Sequence, residues 1–92
     1  MKQFPQPLTT AVITTKQVIR QNSTIVYIAH HEDDGAWVFT GAEEFLPENA
    51  MMISLAEMIK HDATILDVAD MPVGFYAVRK DKNSPWKVVG PH

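Results

Sequence analysis

The stretch TIVYIAHHEDDGAWVFT, residues 24–40, decides how the rest of the chain is read. Its first part, TIVYIAH (24–30), is rich in β-branched and aromatic side chains, which suit a pleated strand. Ile25, Tyr27 and Ala29 fall on one face of such a strand, Val26 and Ile28 on the other. Apolar residues on both faces predict a central strand, screened from water on each side. AWVFT (36–40) has the same character. Between them lies HHEDDG, whose Asp34-Gly35 pair predicts the turn of an antiparallel hairpin, because glycine accepts a positive φ and aspartate tolerates one.

Upstream of the hairpin, TAVITT (10–15) reads as a further strand. Thr14 or Thr15 can then cap a brief helix, KQVIRQ (16–21), with Val18 and Ile19 inward and Asn22-Ser23 at its end. Downstream, GAEEFLPENA (41–50) reads as a polar loop with one helical turn, and MMISL (51–55) as a short strand. Ser54 and Glu57 have the capping-box spacing, and Leu55, Met58 and Ile59 share one face of the helix they open. Asp62 caps a further helical turn, with Ile65, Leu66 and Ala69 inward, until Pro72 pushes Met71 out of helical geometry. FYAVRK (75–80) and WKVV (86–89) read as two last strands joined by the turn DKNSP. Helices that cluster rather than alternate with every strand predict an α+β fold. The expected architecture is a mainly antiparallel sheet of five to six strands with two or three short helices packed on one side. It forms a single domain over residues 1–92, with 1–8 as an extended lead-in and 90–92 as a tail.

Composition narrows the function. A chain of 92 residues buries roughly 60–65% of the surface its unfolded form exposes, enough for one modest core. Eight basic residues are scattered among eleven acidic ones, for a net charge of −3. Duplex nucleic acid needs several cations on one face, so it is not the expected partner, whereas a basic protein or peptide suits the charge. The absence of cysteine excludes disulfides, thiolate metal sites and a cysteine nucleophile. MKQFPQPLTT lacks the apolar segment of a signal peptide, and no run approaches the roughly 18 apolar residues of a membrane span. The expectation is a soluble cytoplasmic protein.

Candidate sites follow from residue type. His30, His31 and Glu32 carry imidazole and carboxylate groups suited to zinc or iron. Neighbours in a strand diverge, however, and the helical His-Glu-x-x-His spacing is missing, so a solvated hairpin end that includes Asp33 and Asp34 is the simpler reading. Glu43 and Glu44 could share acid/base work only if burial separated their pKa values; as neighbours in a polar loop they read as solvated. No Gly-x-Ser-x-Gly elbow, dinucleotide fingerprint or phosphate loop is present, and no cofactor is expected. Trp37 beside Phe39 reads as core, with an exposed aromatic contact as the alternative, and Trp86 beside Pro85 reads equally as either. Met51, Met52, Met58 and Met71 read as gap-filling core and, secondarily, as an adaptable contact surface.

The segments TAVITTKQVI (10–19), IVYIAHHEDDGAWVFTG (25–41), ISLAEMIKHDATILDVADMPVGFYAVRK (53–80) and PW (85–86) together resemble a family of small bacterial proteins, the immunity-protein-thirty-three-like domain of unknown function. The hairpin ending in Trp37-Val38-Phe39 and the segment DVADMPVGFYAVR (67–79) are its most specific parts. The resemblance implies a cytoplasmic protein without known catalytic activity, some of whose relatives are presumed to neutralise a toxin domain by binding it. The family pattern has Gly-Asp-Glu after the hairpin, whereas this chain has Gly41-Ala42-Glu43, so the resemblance does not make that loop a fixed site.

Two hypotheses emerge. In the first, Asp33, Asp34, Glu43 and Glu44, with Trp37 or another exposed aromatic or methionine, steer a non-catalytic interaction domain to a basic partner such as a toxin. In the second, the polar end of the 24–40 hairpin binds a metal or small molecule. A homo-oligomer formed through an open sheet edge is a further possibility.

Overall fold

The computed structural model describes residues 2–91; Met1 of the lead-in and His92 of the tail lie outside the described residues. Six strands form one sheet: β1 (Ala11–Thr15), β2 (Tyr27–His30), β3 (Trp37–Thr40), β4 (Ala50–Ser54), β5 (Tyr76–Val78) and β6 (Lys87–Val89), in the order β4-β1-β3-β2-β5-β6. Helices α1 (Lys16–Gln21) and α2 (Leu55–His61) follow β1 and β4, and 3-10 segments span Pro47–Asn49 and Ala63–Val68. The α+β architecture matches the expectation. The sheet is mixed: β1 runs parallel to β3, and the other four pairings are antiparallel.

Local chemistry accounts for the element boundaries. Thr15 Oγ1 accepts the Val18 N–H at 3.2 Å and starts α1, and Asn22 ends it in the left-handed region at φ 55°. Ser54 Oγ accepts the Glu57 N–H at 3.1 Å, so the predicted cap opens α2. Asp62 caps the next segment through Thr64, but that segment is a 3-10 helix, Ala63–Val68, and it buries Val68 as well as Ile65 and Ala69. The hairpin is antiparallel as expected, with Ile28 opposite Phe39 and His30 opposite Trp37. Its turn is closed by the His31 N–H on the Ala36 carbonyl at 2.8 Å, and Gly35 takes φ 71°.

Strand β2 begins three residues later than its sequence suggests. Ile25 does not share a face with Tyr27 and Ala29; it joins the core with Ile28. The backbone there is held by Arg79, whose Nε donates to the Ile25 carbonyl at 2.8 Å and whose N–H donates to that of Val26 at 3.1 Å.

One face of the sheet carries the core. Val12, Ile28, Trp37, Phe39 and Ala77 pack with Val18 of α1, Leu55 and Met58 of α2, and Ile65 and Val68 of the 3-10 helix. α1, α2 and the 3-10 helix Ala63–Val68 therefore lie on one side. The lead-in is not a bystander: Phe4 is buried edge-on against Trp37, with ring centroids 5.0 Å apart. Thr14 Oγ1, fully buried, donates to the Phe39 carbonyl at 2.8 Å and ties β1 to β3.

The opposite face is also apolar, yet none of its residues belongs to that core. Following the register across the strands gives one row, Met52, Ile13, Val38, Ala29, Tyr76 and Val89. Ala29 and Val38, at its centre, are buried, while Met52 at the edge is 70% exposed. The expectation of a layer on each side of β2 thus holds for one side only.

Candidate functional site

The period of two along β2 sends Ile28 and His30 into the core and leaves Tyr27 and Ala29 on the open face. Beyond the strand end, His31, Glu32 and Asp33 turn out into solvent. Together with Tyr27, Ala29, Gly74 and Phe75 they line a hollow of about 300 Å³. Its far wall is the turn before β5, anchored by the Gly74 N–H on the His30 carbonyl at 2.8 Å and the His30 N–H on that of Phe75 at 3.1 Å. Gly74 sits at φ 85°, which glycine adopts without strain, and Glu32 Oε2 lies against this turn, 3.5 Å from where a Cβ would stand.

The electrostatics of this hollow are one-sided. Among the described residues, the ion pairs are Lys2–Asp70 and Arg79–Asp62, and none involves Glu32, Asp33 or Asp34. Asp33 accepts the Asp34 N–H at 3.0 Å and Asp34 accepts that of Ala36 at 2.9 Å, which holds both carboxylates in the turn. Tyr27 and Tyr76 lie side by side, with ring centroids 5.6 Å apart. Burial, and then the neighbouring Tyr76, push the Tyr27 phenol above its ordinary pKa, so it is neutral at physiological pH. Carboxylates without counterions beside an aromatic floor suit a cation with an apolar stem, such as a lysine or arginine side chain.

The residues singled out in the sequence separate. His30 is buried: its ring stacks on Trp37 at 3.9 Å, and its Nδ1 donates to the Met71 carbonyl at 2.8 Å. A carbonyl only accepts, so the Nδ1 carries the proton. The set His30, His31 and Glu32 is therefore not assembled, for the reason given by strand geometry. Instead, His31, Asp33 and Asp34, all exposed, place one ligand atom each within 4.8 Å of the others. Trp37 is 1% exposed, so it is core and cannot be the contact aromatic. Glu43 and Glu44 follow β3 at the end opposite the turn, about 13 Å along a four-residue strand from Asp33 and Asp34, so the four acids do not form one patch. Glu43 accepts a hydrogen bond from Ser23 Oγ at 3.0 Å.

Two features escaped the sequence reading. Tyr27 and Tyr76 meet only because β2 pairs with β5, for which the sequence has no local signal. Arg79, the one lysine or arginine buried among the described residues, ties three segments together: besides Ile25 it donates to Thr64 Oγ1 at 2.9 Å and Asp62 Oδ2 at 2.8 Å. Trp86, partly buried against the core, lies 4.2 Å beneath its guanidinium. Burial alone would raise the Asp62 carboxyl, but hydrogen bonds from Thr64 and Arg79 and the Arg79 charge outweigh it and hold the pKa below the usual value.

Among the described residues, no helix is long and apolar enough to cross a membrane. In comparisons with known proteins, the chain matches no family model, no curated protein and no solved structure.

Proposed function

We propose that this protein is a bacterial cytoplasmic interaction domain that acts by binding a basic protein partner rather than by catalysis. The observation that carries this reading is the hollow beside the open sheet face, where Glu32 and Asp33, in no ion pair among the described residues, adjoin Tyr27. A lysine or arginine of the partner would lay its stem against the tyrosine and its charge between the carboxylates. The apolar row beyond it, ending in Tyr76 and Val89, supplies area that a partner can dehydrate. Acidic steering raises the association rate, and burial of the row sets the lifetime of the complex. The sequence resemblance names a toxin domain as the partner class, neutralised by occlusion. The test is a pull-down and growth-protection assay with the product of an adjacent toxin-like reading frame, using the wild type and Glu32→Lys/Asp33→Lys. Binding and protection by the wild type, lost in the double variant, are expected; no binding by the wild type overturns the reading.

A second reading rests on one observation, the convergence of His31, Asp33 and Asp34 within 4.8 Å. Imidazole with two carboxylates is a donor set for zinc or manganese. Metal analysis of the purified protein, with thermal shift on added zinc, tests it. Stoichiometric metal supports it, whereas sub-stoichiometric metal with no shift removes it.

A further inference from the structure

The sheet has two edge strands, and they are guarded differently. β6 is three residues long, carries the exposed Lys87 and has Pro85 just before it. Lysine and proline are common protections against edge-to-edge pairing. β4 is five residues, AMMIS, with neither a charge nor a proline within the strand, although Pro47 and Glu48 lie just before it. Its backbone polarity can be followed residue by residue. The Leu55 N–H donates to the Thr10 carbonyl at 2.8 Å, and these two residues continue the β1–β4 register. In an antiparallel ladder the bonded positions alternate. Met51, Ile53 and Leu55 therefore turn their backbone groups to β1, and Ala50, Met52 and Ser54 turn theirs outward. The Ala50 N–H is taken by the Pro47 carbonyl. The N–H and carbonyl of Met52, the Ser54 N–H and the Ala50 carbonyl face away from the sheet, symmetrically disposed about Met52.

We propose that β4 pairs antiparallel with β4 of a second copy of this chain, about a two-fold axis at Met52. Each Met52 N–H then donates to the carbonyl of the other copy's Met52, and each Ser54 N–H to the other copy's Ala50 carbonyl. A two-fold axis satisfies the same outward groups on both copies. Met52, 70% exposed and at the edge of the open face, lies opposite its own twin, and the sheet of six strands becomes one of twelve. The axis carries no charge, so the chain's net charge of −3 is not concentrated there. Phe45 and Leu46, 43% and 39% exposed, precede the 3-10 turn that leads into β4 and are the exposed large apolar side chains nearest to it in sequence. One strand and a few side chains make a contact well below the roughly 800 Å² per partner of a standard interface, so the dimer is weak and forms only at high concentration. This inference uses a surface other than the hairpin end and stands apart from the reading of partner binding.

Sedimentation velocity of the whole chain, from about 5 µM to about 1 mM, tests it. The weight-average mass should rise with concentration from 10.3 kDa towards twice that value. Met52→Lys, which sets two ammonium groups at the axis, should hold the monomer mass with an unchanged melting curve, and Val88→Lys on the β6 edge should associate like the wild type. A wild type at 10.3 kDa throughout overturns the proposal, as does loss of association in Val88→Lys but not in Met52→Lys. Should Met52→Lys fail to fold, amide exchange in the wild type decides: slowing of the Met52 and Ser54 amides at high concentration supports the pairing, and constant exchange overturns it.

Discussion

Along β2 and β3, successive residues belong to two surfaces made of similar side chains and put to different use. On one face, Ile28, Trp37 and Phe39 are sealed by α1, α2, the 3-10 helix and Phe4, and even His30 is fixed by a stack and a hydrogen bond. On the other, half-buried Tyr27 and Tyr76 flank the buried Ala29 and Val38, and none of the described helices covers them. The difference teaches that apolar alternation shows which residues share a face, while the presence of a second layer depends on how many amphipathic helices the chain supplies. Here α1, α2 and the 3-10 helix are short, and the first face uses all of them. Among the described residues, the remaining face is left without a helical layer.

Substitutions should separate the two faces by size of effect. Phe39→Ala and Trp37→Ala, on the helical side, should each cost about 3–5 kcal/mol in urea unfolding, since both are fully enclosed. Comparable losses from Tyr27→Ala would erase the distinction between the faces. Asp62→Ala comes next, at about 3 kcal/mol, because it strands the buried Arg79 guanidinium. The same pair gives a pH signature. The folded pKa of Asp62 lies below its unfolded value, so the stabilisation is present above the unfolded pKa and is lost as pH falls through the folded one. Urea midpoints of the wild type should therefore fall in the acid range below about pH 4, more steeply than those of Asp62→Asn. Gly74→Ala should cost about 1 kcal/mol or somewhat more, because alanine resists φ 85°. Tyr27→Ala, on the open face, should cost about 1 kcal/mol through its lost contact with Tyr76. Glu32→Gln should change stability by no more than about 0.5 kcal/mol while weakening binding of a basic partner, which would mark it as a residue of the surface and not of the fold.

How far the sequence was legible follows the same division. The hairpin, its glycine and the caps at Thr15, Ser54 and Asp62 are written in short-range chemistry, and each stands where the residues place it, whereas Met52, read as core, is exposed and Ile25 joins the core on the face of Ile28. The insertion of β1 between β3 and β4 depends on non-local pairing that no short segment encodes, which is why the parallel pair was not foreseen. Phe4 follows the same logic, since an aromatic in a proline-rich lead-in gains a role only once Trp37 and Phe39 form a surface to receive it. For the candidate site, the acids of the turn were visible, but their partners were not. Glu43 and Glu44, near Asp34 in sequence, end up beyond the other end of β3, and Tyr76, far from Tyr27 in sequence, becomes its neighbour through β5. A strand separates residues that look adjacent, and a sheet joins residues that do not.

The most direct test of the open face as the binding surface is an amide chemical-shift titration of the labelled protein with a basic toxin-like partner from an adjacent reading frame. Saturable shifts centred on Tyr27, Ala29, Glu32, Asp33 and Tyr76, with the amides of α1 and α2 unmoved, are the expected result. Shifts confined to the helical side, or to Glu43 and Glu44, would contradict it.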